Sequence, residues 1–168
     1  SNTPGILSHA TAELAWALLF AVARRLVAMD SLTRSGTWSG SGPLQFLGLD
    51  VTGKTLGIVG AGRIGTAMAL MSKGFRMPVL YTRASGQENQ TLKSELGARL
   101  VSFNDLVAQA DFISIHTPLT PSTRHLFRAA TFARMKPAAI LINTARGPVI
   151  KEDDLVAALQ QRRIAGAG

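Results

Sequence analysis

The chain has 168 residues, of which 46% are hydrophobic and 17% are charged, and this balance is typical of a globular domain rather than of a disordered segment. It contains no cysteine, which excludes disulfides, thiolate metal sites and cysteine nucleophiles within it. Its formal net charge is +8, but the basic residues are spread along the chain and are not interleaved with aromatics. The sequence therefore favours an anionic cofactor and a small anionic substrate over a nucleic-acid partner.

The N-terminal part is predicted to be helical. After an extended connector, the pattern indicates one long helix over residues 8–29, with Ser8 or Thr11 as its N-cap. Residues 14–23 are apolar on almost every side, so this helix is expected either to cross the centre of its own domain or to pack also against a second subunit or domain. The apolar stretch is too short to cross a bilayer and no targeting signal is visible, which predicts a soluble, cytoplasmic protein without a membrane partner.

Residues 31–50 are rich in serine and glycine and are predicted to form a connecting arm, with Trp38, Pro43 and Phe46 as packing anchors. Short apolar strands then alternate with helices. The predicted strands cover residues 55–59, 78–82, 99–101, 112–116, 139–143 and 164–167, and the predicted helices cover residues 66–75, 88–96, 104–109, 129–135 and 152–162. Ser102 and Asp105 have capping-box spacing.

This alternation predicts an α/β fold of the Rossmann type, a doubly wound parallel sheet in three α/β/α layers with an N-terminal helical arm. We divide the chain into an N-terminal helix and arm, residues 1–50, and a dinucleotide-binding domain, residues 51–168.

Three glycines with G-x-G-x-x-G spacing follow the first predicted strand. Gly60 allows the sharp turn, Gly62 leaves room for a pyrophosphate, and Gly65 lets the next helix lie close to the sheet. Arg63 and Ile64 lie inside the run, and Arg63 is predicted to pair with the pyrophosphate, a solvent-facing side chain being the alternative. An ordinary glycine-rich turn is the alternative for the whole motif.

The end of the second predicted strand indicates which dinucleotide is bound. NAD-binding folds usually carry an acidic residue there, roughly 20 residues beyond the glycines, to hold the ribose 2′-hydroxyl. Residues 81–85 contain no carboxylate. Arg83, helped by the hydroxyls of Thr82 and Ser85, can instead bind a 2′-phosphate, which predicts NADP(H) as the preferred cofactor with NAD(H) possible. A solvated surface arginine is the alternative.

Two further strand ends carry candidate ligand residues. After the fourth strand, Thr117 offers a hydroxyl near the ribose or phosphates and Pro118 fixes the backbone. His116 has the chemistry of a general acid, but a structural hydrogen bond explains it equally well, so it is not assigned to catalysis.

After the fifth strand, Thr144 and Ala145 are predicted to contact the cofactor. The turn at Gly147 and Pro148 presents Arg146 to the cleft, where a guanidinium can clamp a carboxylate and polarise the adjacent carbonyl of a 2-oxo acid. An arginine that only ties down its loop is the alternative. No metal site is predicted.

With these motifs in place, the chain resembles the D-isomer-specific 2-hydroxyacid dehydrogenases over essentially its whole length. The resemblance is carried by Asn-Thr-Pro-Gly at 2–5, Ala-Thr-Ala-Glu-Leu at 10–14, Gly-Lys-Thr-Leu-Gly-Ile-Val-Gly at 53–60, His-Thr-Pro-Leu-Thr at 116–120, Met-Lys-Pro at 135–137, Asn-Thr-Ala-Arg-Gly at 143–147 and Arg-Ile-Ala-Gly-Ala-Gly at 163–168. Within the family, Phe46-Leu47-Gly48 and the Tyr-Thr-Arg end of the second strand are similar to the glyoxylate/hydroxypyruvate reductase branch, whose members commonly prefer NADPH.

The resemblance implies hydride transfer between a nicotinamide and C2 of a 2-hydroxy or 2-oxo acid, with Arg146 as the catalytic arginine. It also implies a proton-transferring histidine supported by a glutamate, and no residue here matches either of them. The chain is therefore expected to be the cofactor-binding domain of a longer enzyme, inactive by itself and paired as a homodimer through the helix at 8–29. A non-catalytic NAD(P)-sensing or dimerisation module, as in corepressor relatives, is the alternative.

Overall fold

Six parallel strands form the centre of the computed structural model, which describes residues 5–40, 42 and 45–168. The strands are β1 (Leu56–Val59), β2 (Val79–Thr82), β3 (Arg99–Leu100), β4 (Phe112–Ile115), β5 (Ile140–Asn143) and β6 (Gly166–Ala167). Their spatial order is β3-β2-β1-β4-β5-β6, so the direction of strand addition reverses between β1 and β4. In such sheets the crevice at the carboxyl ends of these two strands is where ligands bind.

Helices cover both faces of this sheet. Within the described residues they are α1 (Ser8–Ala23), α2 (Leu26–Arg34), α3 (Arg63–Met71), α4 (Gln90–Leu96), α5 (Phe103–Gln109), α6 (Ala129–Phe132) and α7 (Glu152–Gln160), with 3₁₀ turns at Ser72–Phe75 and Gly147–Val149. Helices α1, α3 and α4 share one buried cluster with the sheet, and α5, α6 and α7 share the other. The predicted three-layer Rossmann-type fold is confirmed.

The four inner strands β1, β2, β4 and β5 are almost entirely buried on both faces, as a parallel sheet between two helical layers requires. Along β5, Ile140 and Ile142 belong to the cluster that contains α1, whereas Leu141 belongs to the opposite one. Gly57 in β1 lets α5 approach closely, because a Cβ there would lie 2.7 Å from the Leu106 side chain. All six predicted strands are present, within two residues of their predicted ends.

The single helix predicted over residues 8–29 is wrong, because the chain forms α1 and α2 with a break between them. Arg25 adopts a left-handed backbone with φ of 55°. The carbonyl of Ala23, which would accept from the next helical turn, accepts instead from the N–H of Leu49 at 2.8 Å. Gly48 makes this approach possible, since a Cβ there would lie 2.6 Å from the same oxygen. The returning arm therefore ends α1.

Two other N-terminal predictions are also corrected. The N-cap of α1 is Leu7, without a side-chain cap, and the Thr11 hydroxyl donates to the Leu7 carbonyl at 2.8 Å instead of capping. Trp38 is 52% exposed and does not act as a packing anchor among the residues that the structure describes. Phe46 is half-buried, and Pro43 lies outside the described residues.

Helix α1 packs into the domain through Trp16. This side chain is 6% exposed, and its indole N–H donates to the Met68 carbonyl of α3 at 3.1 Å. The N-terminal helix therefore shares a core with the sheet, and the domain division at residue 50 stays a prediction. Of the helices in the described part of the chain, none combines the length and apolarity needed to span a bilayer.

Helix α3 begins three residues earlier than predicted, at Arg63 instead of residue 66, because the Thr66 N–H already reaches the Gly62 carbonyl at 2.8 Å. Its predicted last turn is a 3₁₀ turn. The cap predicted at Ser102 is confirmed, with its hydroxyl oxygen accepting from the Asp105 N–H at 3.1 Å. The start of α3 lies directly after the glycine run and is the first part of the candidate site.

Candidate cofactor-binding site

The three glycines form a turn that is tightly packed on two sides and open on one. Gly60 has φ of +99°, and a Cβ there would lie 2.9 Å from the His116 carbonyl oxygen. A Cβ on Gly65 would overlap the Gly60 carbonyl and lie 2.9 Å from the Ile58 side chain. Around Gly62, by contrast, a Cβ would meet no atom within 4 Å. The open space above Gly62 is where a ligand can approach the backbone.

The backbone amides at this opening suit an anion. Gly62 is the N-cap of α3, and Thr66 is the residue whose N–H bonds back to it. The N–H groups of the first helical turn before Thr66 therefore have no intrahelical acceptor. Together with the positive end of the helix dipole, they favour a phosphate group.

A cleft of about 400 Å³ lies beside this turn, between the ends of β4 and β5. It brings together residues that the sequence predicted separately: Ile64, Thr117, Pro118, Thr144, Ala145 and Arg146. Among the described residues, the buried hydroxyl oxygens of Thr117 and Thr144 have no hydrogen-bond partner. A buried hydroxyl without a partner is unfavourable. A polar ligand in the cleft, such as the nicotinamide ribose of a dinucleotide, would supply the missing bonds.

A second groove, of about 720 Å³, extends from the other side of the glycine turn. Arg63 and Arg83 both line it, together with Gly62, Thr66 and Asn89. No acidic residue is among the described residues that line it. The structure thus places Arg83 on the same groove as the glycine turn.

The other two residues predicted near the 2′-phosphate have different partners. Thr82 accepts from the Gly60 N–H at 3.3 Å and so holds the glycine turn. Ser85 accepts from the Gln87 N–H at 3.3 Å and is not among the groove-lining residues. A direct contact of Ser85 with the cofactor stays a prediction without support from this geometry.

His116 lies between the cleft and the glycine turn. Its Nε2 is 2.9 Å from the Ser114 hydroxyl, and burial lowers its pKa from 6.5 to about 4. The imidazole is therefore neutral at neutral pH and cannot donate a proton as an imidazolium would. This geometry agrees with leaving His116 out of the catalytic assignment.

Arg146 reaches the cleft on a loop that Asn143 holds. The Asn143 side chain accepts from the Ala145 N–H and donates to the Arg146 carbonyl, both at 3.0 Å. The Arg146 guanidinium is exposed at the cleft and donates to the Ala145 carbonyl at 2.7 Å. Sequence reasoning missed this role of Asn143, although its place at the end of a buried strand was a usable signal.

A depression of about 700 Å³ lies elsewhere, beside β6 and α7. It contains none of the residues predicted to contact the cofactor, and its lining is mainly apolar. This depression is therefore separate from the cleft and groove around the glycine turn.

A doubly wound sheet with a glycine cradle at its switch point is the arrangement of a dinucleotide-binding domain. Residues 16–168 match the family model described as "D-isomer specific 2-hydroxyacid dehydrogenase, NAD binding domain". The chain belongs to this family, as the sequence motifs predicted.

Known relatives agree with this assignment. The glyoxylate reductase of Thermococcus litoralis is 50% identical over the whole chain, which covers 51% of that relative. The crystal structure of the TT0316 protein from Thermus thermophilus is 43% identical, with a TM-score of 0.92 over the whole chain and 51% of that structure. An acyclic imino acid reductase (Bsp5), solved with NADPH and D-Arg, is 35% identical, with a TM-score of 0.86 over 96% of the chain and 50% of that structure. The chain thus spans about half the length of the curated relatives it matches.

Proposed function

We propose that this chain binds NADP(H) in preference to NAD(H) and is the cofactor-binding part of a reductase that interconverts 2-oxo and D-2-hydroxy acids such as glyoxylate or hydroxypyruvate. One observation carries the proposal: Arg83 and two buried threonine hydroxyls, which have no partner among the described residues, line the two clefts beside the glycine turn. The cofactor supplies the hydride when it is bound. The chain's own residues bind and orient the two ligands.

The preference for NADP(H) rests on Arg83. It follows β2, where an NAD-binding domain usually has a carboxylate, and it lines the same groove as Arg63. A guanidinium can make paired, charge-assisted hydrogen bonds to a phosphate. A relative of known structure was solved with NADPH, which is consistent with this choice. Thr117, Thr144 and the neighbouring backbone would hold the opposite end of the cofactor.

Arg146 is the residue proposed to act on the substrate. Within the described part of the chain only one of its donors is engaged, by the Ala145 carbonyl, so the remaining N–H groups can bind a carboxylate and its adjacent carbonyl oxygen. The resemblance assigns proton transfer to a histidine–glutamate pair that no residue here matches, and His116 is held neutral. We therefore propose that the 168-residue chain binds the cofactor but does not convert substrate. A cytoplasmic location also stays a proposal.

We also propose a homodimer formed through α1. This helix carries an exposed apolar stripe at helical spacing, in which Leu7 is 61% exposed, Leu14 is 54% exposed, and Ala10 and Ala17 are exposed as well. Large apolar side chains grouped on one exposed face are typical of a protein–protein contact. The small alanines on the same face would let a second helix approach closely.

The proposal is tested by titrating the chain with NADPH and NADH and following the fluorescence of the reduced nicotinamide. The wild type should bind NADPH more tightly. Arg83→Gln should weaken NADPH binding by about 10- to 100-fold, because charge-assisted hydrogen bonds are lost, and should leave NADH binding nearly unchanged. Arg134→Gln, which removes an equal charge outside the groove, is the matched control. Tighter binding of NADH by the wild type would overturn the role of Arg83.

A further inference from the structure

The peptide unit that joins Glu88 to Asn89 is held on one side by Tyr81 and is contacted on the other side by Arg83. Its N–H donates to the Tyr81 phenol oxygen at 2.8 Å, and its carbonyl accepts from Nη1 of Arg83 at 3.5 Å. No peptide bond in the described residues is cis. In a trans peptide the N–H and the C=O point in opposite directions. The Tyr81 hydroxyl therefore fixes the direction of the carbonyl that Arg83 contacts.

Tyr81 cannot itself touch a ligand in the groove. It is fully buried in β2 and paired in register with Ile58 of the central strand. Its ring is consequently anchored in the buried centre of the sheet. The hydrogen bond to the Asn89 N–H gives the Tyr81 hydroxyl an indirect route to the groove, through the peptide that it holds.

The Asn89 side chain anchors the same peptide at a second point. Its Nδ2 donates to the Thr66 hydroxyl at 2.8 Å, and its Oδ1 accepts from the Leu92 N–H at 3.2 Å. Thr66 lies in the first part of α3, directly beyond the phosphate cradle. Asn89 thus connects the loop after β2 with the helix that faces the pyrophosphate, and it caps α4 at the same time.

We propose that Tyr81 and Asn89 are positioning residues for cofactor choice, which hold the Glu88–Asn89 peptide so that its carbonyl keeps the Arg83 guanidinium at the groove where a 2′-phosphate binds. The inference rests on the proposed function. A guanidinium has five N–H donors, so one contact with a carbonyl leaves the others for the phosphate. A side chain held in place before binding also loses less freedom when the ligand arrives.

The charge of Glu88 does not oppose this arrangement. Its carboxylate pairs with Lys93 at 2.7 Å, and Glu88 is not among the groove-lining residues. The loop therefore offers Arg83 a neutral carbonyl instead of a carboxylate that would compete with a phosphate.

The test is Tyr81→Phe, which removes the hydroxyl and keeps the ring. NADPH binding should weaken by about three- to tenfold, the effect of one lost hydrogen bond, whereas NADH, which has no 2′-phosphate, should bind as before. Asn89→Ser is the second variant, because serine still caps α4 but is too short to reach Thr66. It should likewise raise the ratio of the dissociation constant for NADPH to that for NADH. Urea unfolding of each variant shows whether the change in binding is accompanied by a loss of stability.

A double-variant cycle tests whether the effect passes through Arg83. In an Arg83→Gln background, Tyr81→Phe should no longer change NADPH binding. An equal loss of NADPH and NADH binding, or a loss that persists in that background, would overturn the positioning role. A wild type without NADPH preference would overturn this inference and the proposed function together. A wild-type preference that remains intact in both Tyr81→Phe and Asn89→Ser would overturn this inference alone.

Discussion

At the scale of single residues, the hydroxyls of Thr117 and Thr144 connect stability with ligand binding. Both are buried and without a partner in the described structure. A group of this kind destabilises the unliganded protein and gains its hydrogen bond when a ligand arrives. The same atoms should therefore lower stability in one state and raise affinity in the other.

This coupling predicts that each of the variants Thr117→Val and Thr144→Val raises stability and weakens cofactor binding. Each should raise the free energy of unfolding of the unliganded chain by about 1 kcal/mol, because an unsatisfied hydroxyl is removed, and each should weaken NADPH binding. Urea unfolding and fluorescence titration measure the two effects. Thr131→Val is the matched control, since that buried hydroxyl donates to the Leu126 carbonyl at 2.9 Å and its loss should destabilise. Destabilisation by all three variants would contradict the assignment of the cleft.

His116 gives a pH-dependent prediction. The folded chain lowers its pKa from 6.5 to about 4, so the unfolded chain binds more protons between these values. The contribution of His116 to the free energy of unfolding is fully present above pH 6.5 and is lost as the pH falls towards 4. Between pH 7 and pH 5 the loss should be about 2 kcal/mol. Urea unfolding should show a smaller loss in His116→Gln, and an equal loss in both proteins would contradict the lowered pKa.

The sequence predicted where the candidate site residues lie, but it did not predict the hydrogen bonds among them. Arg83, Thr117 and Arg146 were predicted because each follows a strand, and in a parallel sheet the strand ends meet at one edge. The contact between Asn89, the N-cap of α4, and Thr66 in α3 joins residues 23 positions apart, and no spacing rule indicates it. The Thr82 hydroxyl was expected to contact a phosphate, but it accepts a hydrogen bond from the Gly60 N–H. This contact depends on the exact path of the glycine turn, which the sequence does not specify.

At the scale of secondary-structure elements, the strands were predictable and the N-terminal helices were not. Strand positions follow from short apolar runs bounded by turn residues. The break between α1 and α2 depends on Leu49, which lies 26 positions beyond Ala23 and takes the carbonyl that a continuous helix would use. A local sequence pattern cannot predict such a long-range hydrogen bond.

The exposed face of α1 gives the prediction at this scale. Leu14→Glu should convert the proposed dimer to a monomer, because a buried charge without a partner is costly in an apolar contact. Light scattering during size-exclusion chromatography reports the mass directly. Val156→Glu on α7, which replaces a similarly exposed apolar residue, is the control and should leave the mass unchanged. A wild-type chain that is monomeric at high concentration would contradict the dimer.

At the scale of the whole molecule, the sheet order explains why the dispersed motifs form one site. The reversal between β1 and β4 brings together the glycine turn, the Arg83 loop and the loops after β4 and β5. The family assignment accounts for the same arrangement. Since the chain spans about half the length of its curated relatives, cofactor binding is the part of the proposed reaction that this chain can test on its own.

The most direct test of the central claim is a crystal structure of the chain with NADPH. We expect the pyrophosphate against the amides at Gly62, the 2′-phosphate within hydrogen-bonding distance of Arg83, and the nicotinamide ribose beside Thr117 and Thr144. A dinucleotide bound elsewhere, or bound in this cleft with Arg83 turned to solvent and both hydroxyls still without a partner, would contradict the account.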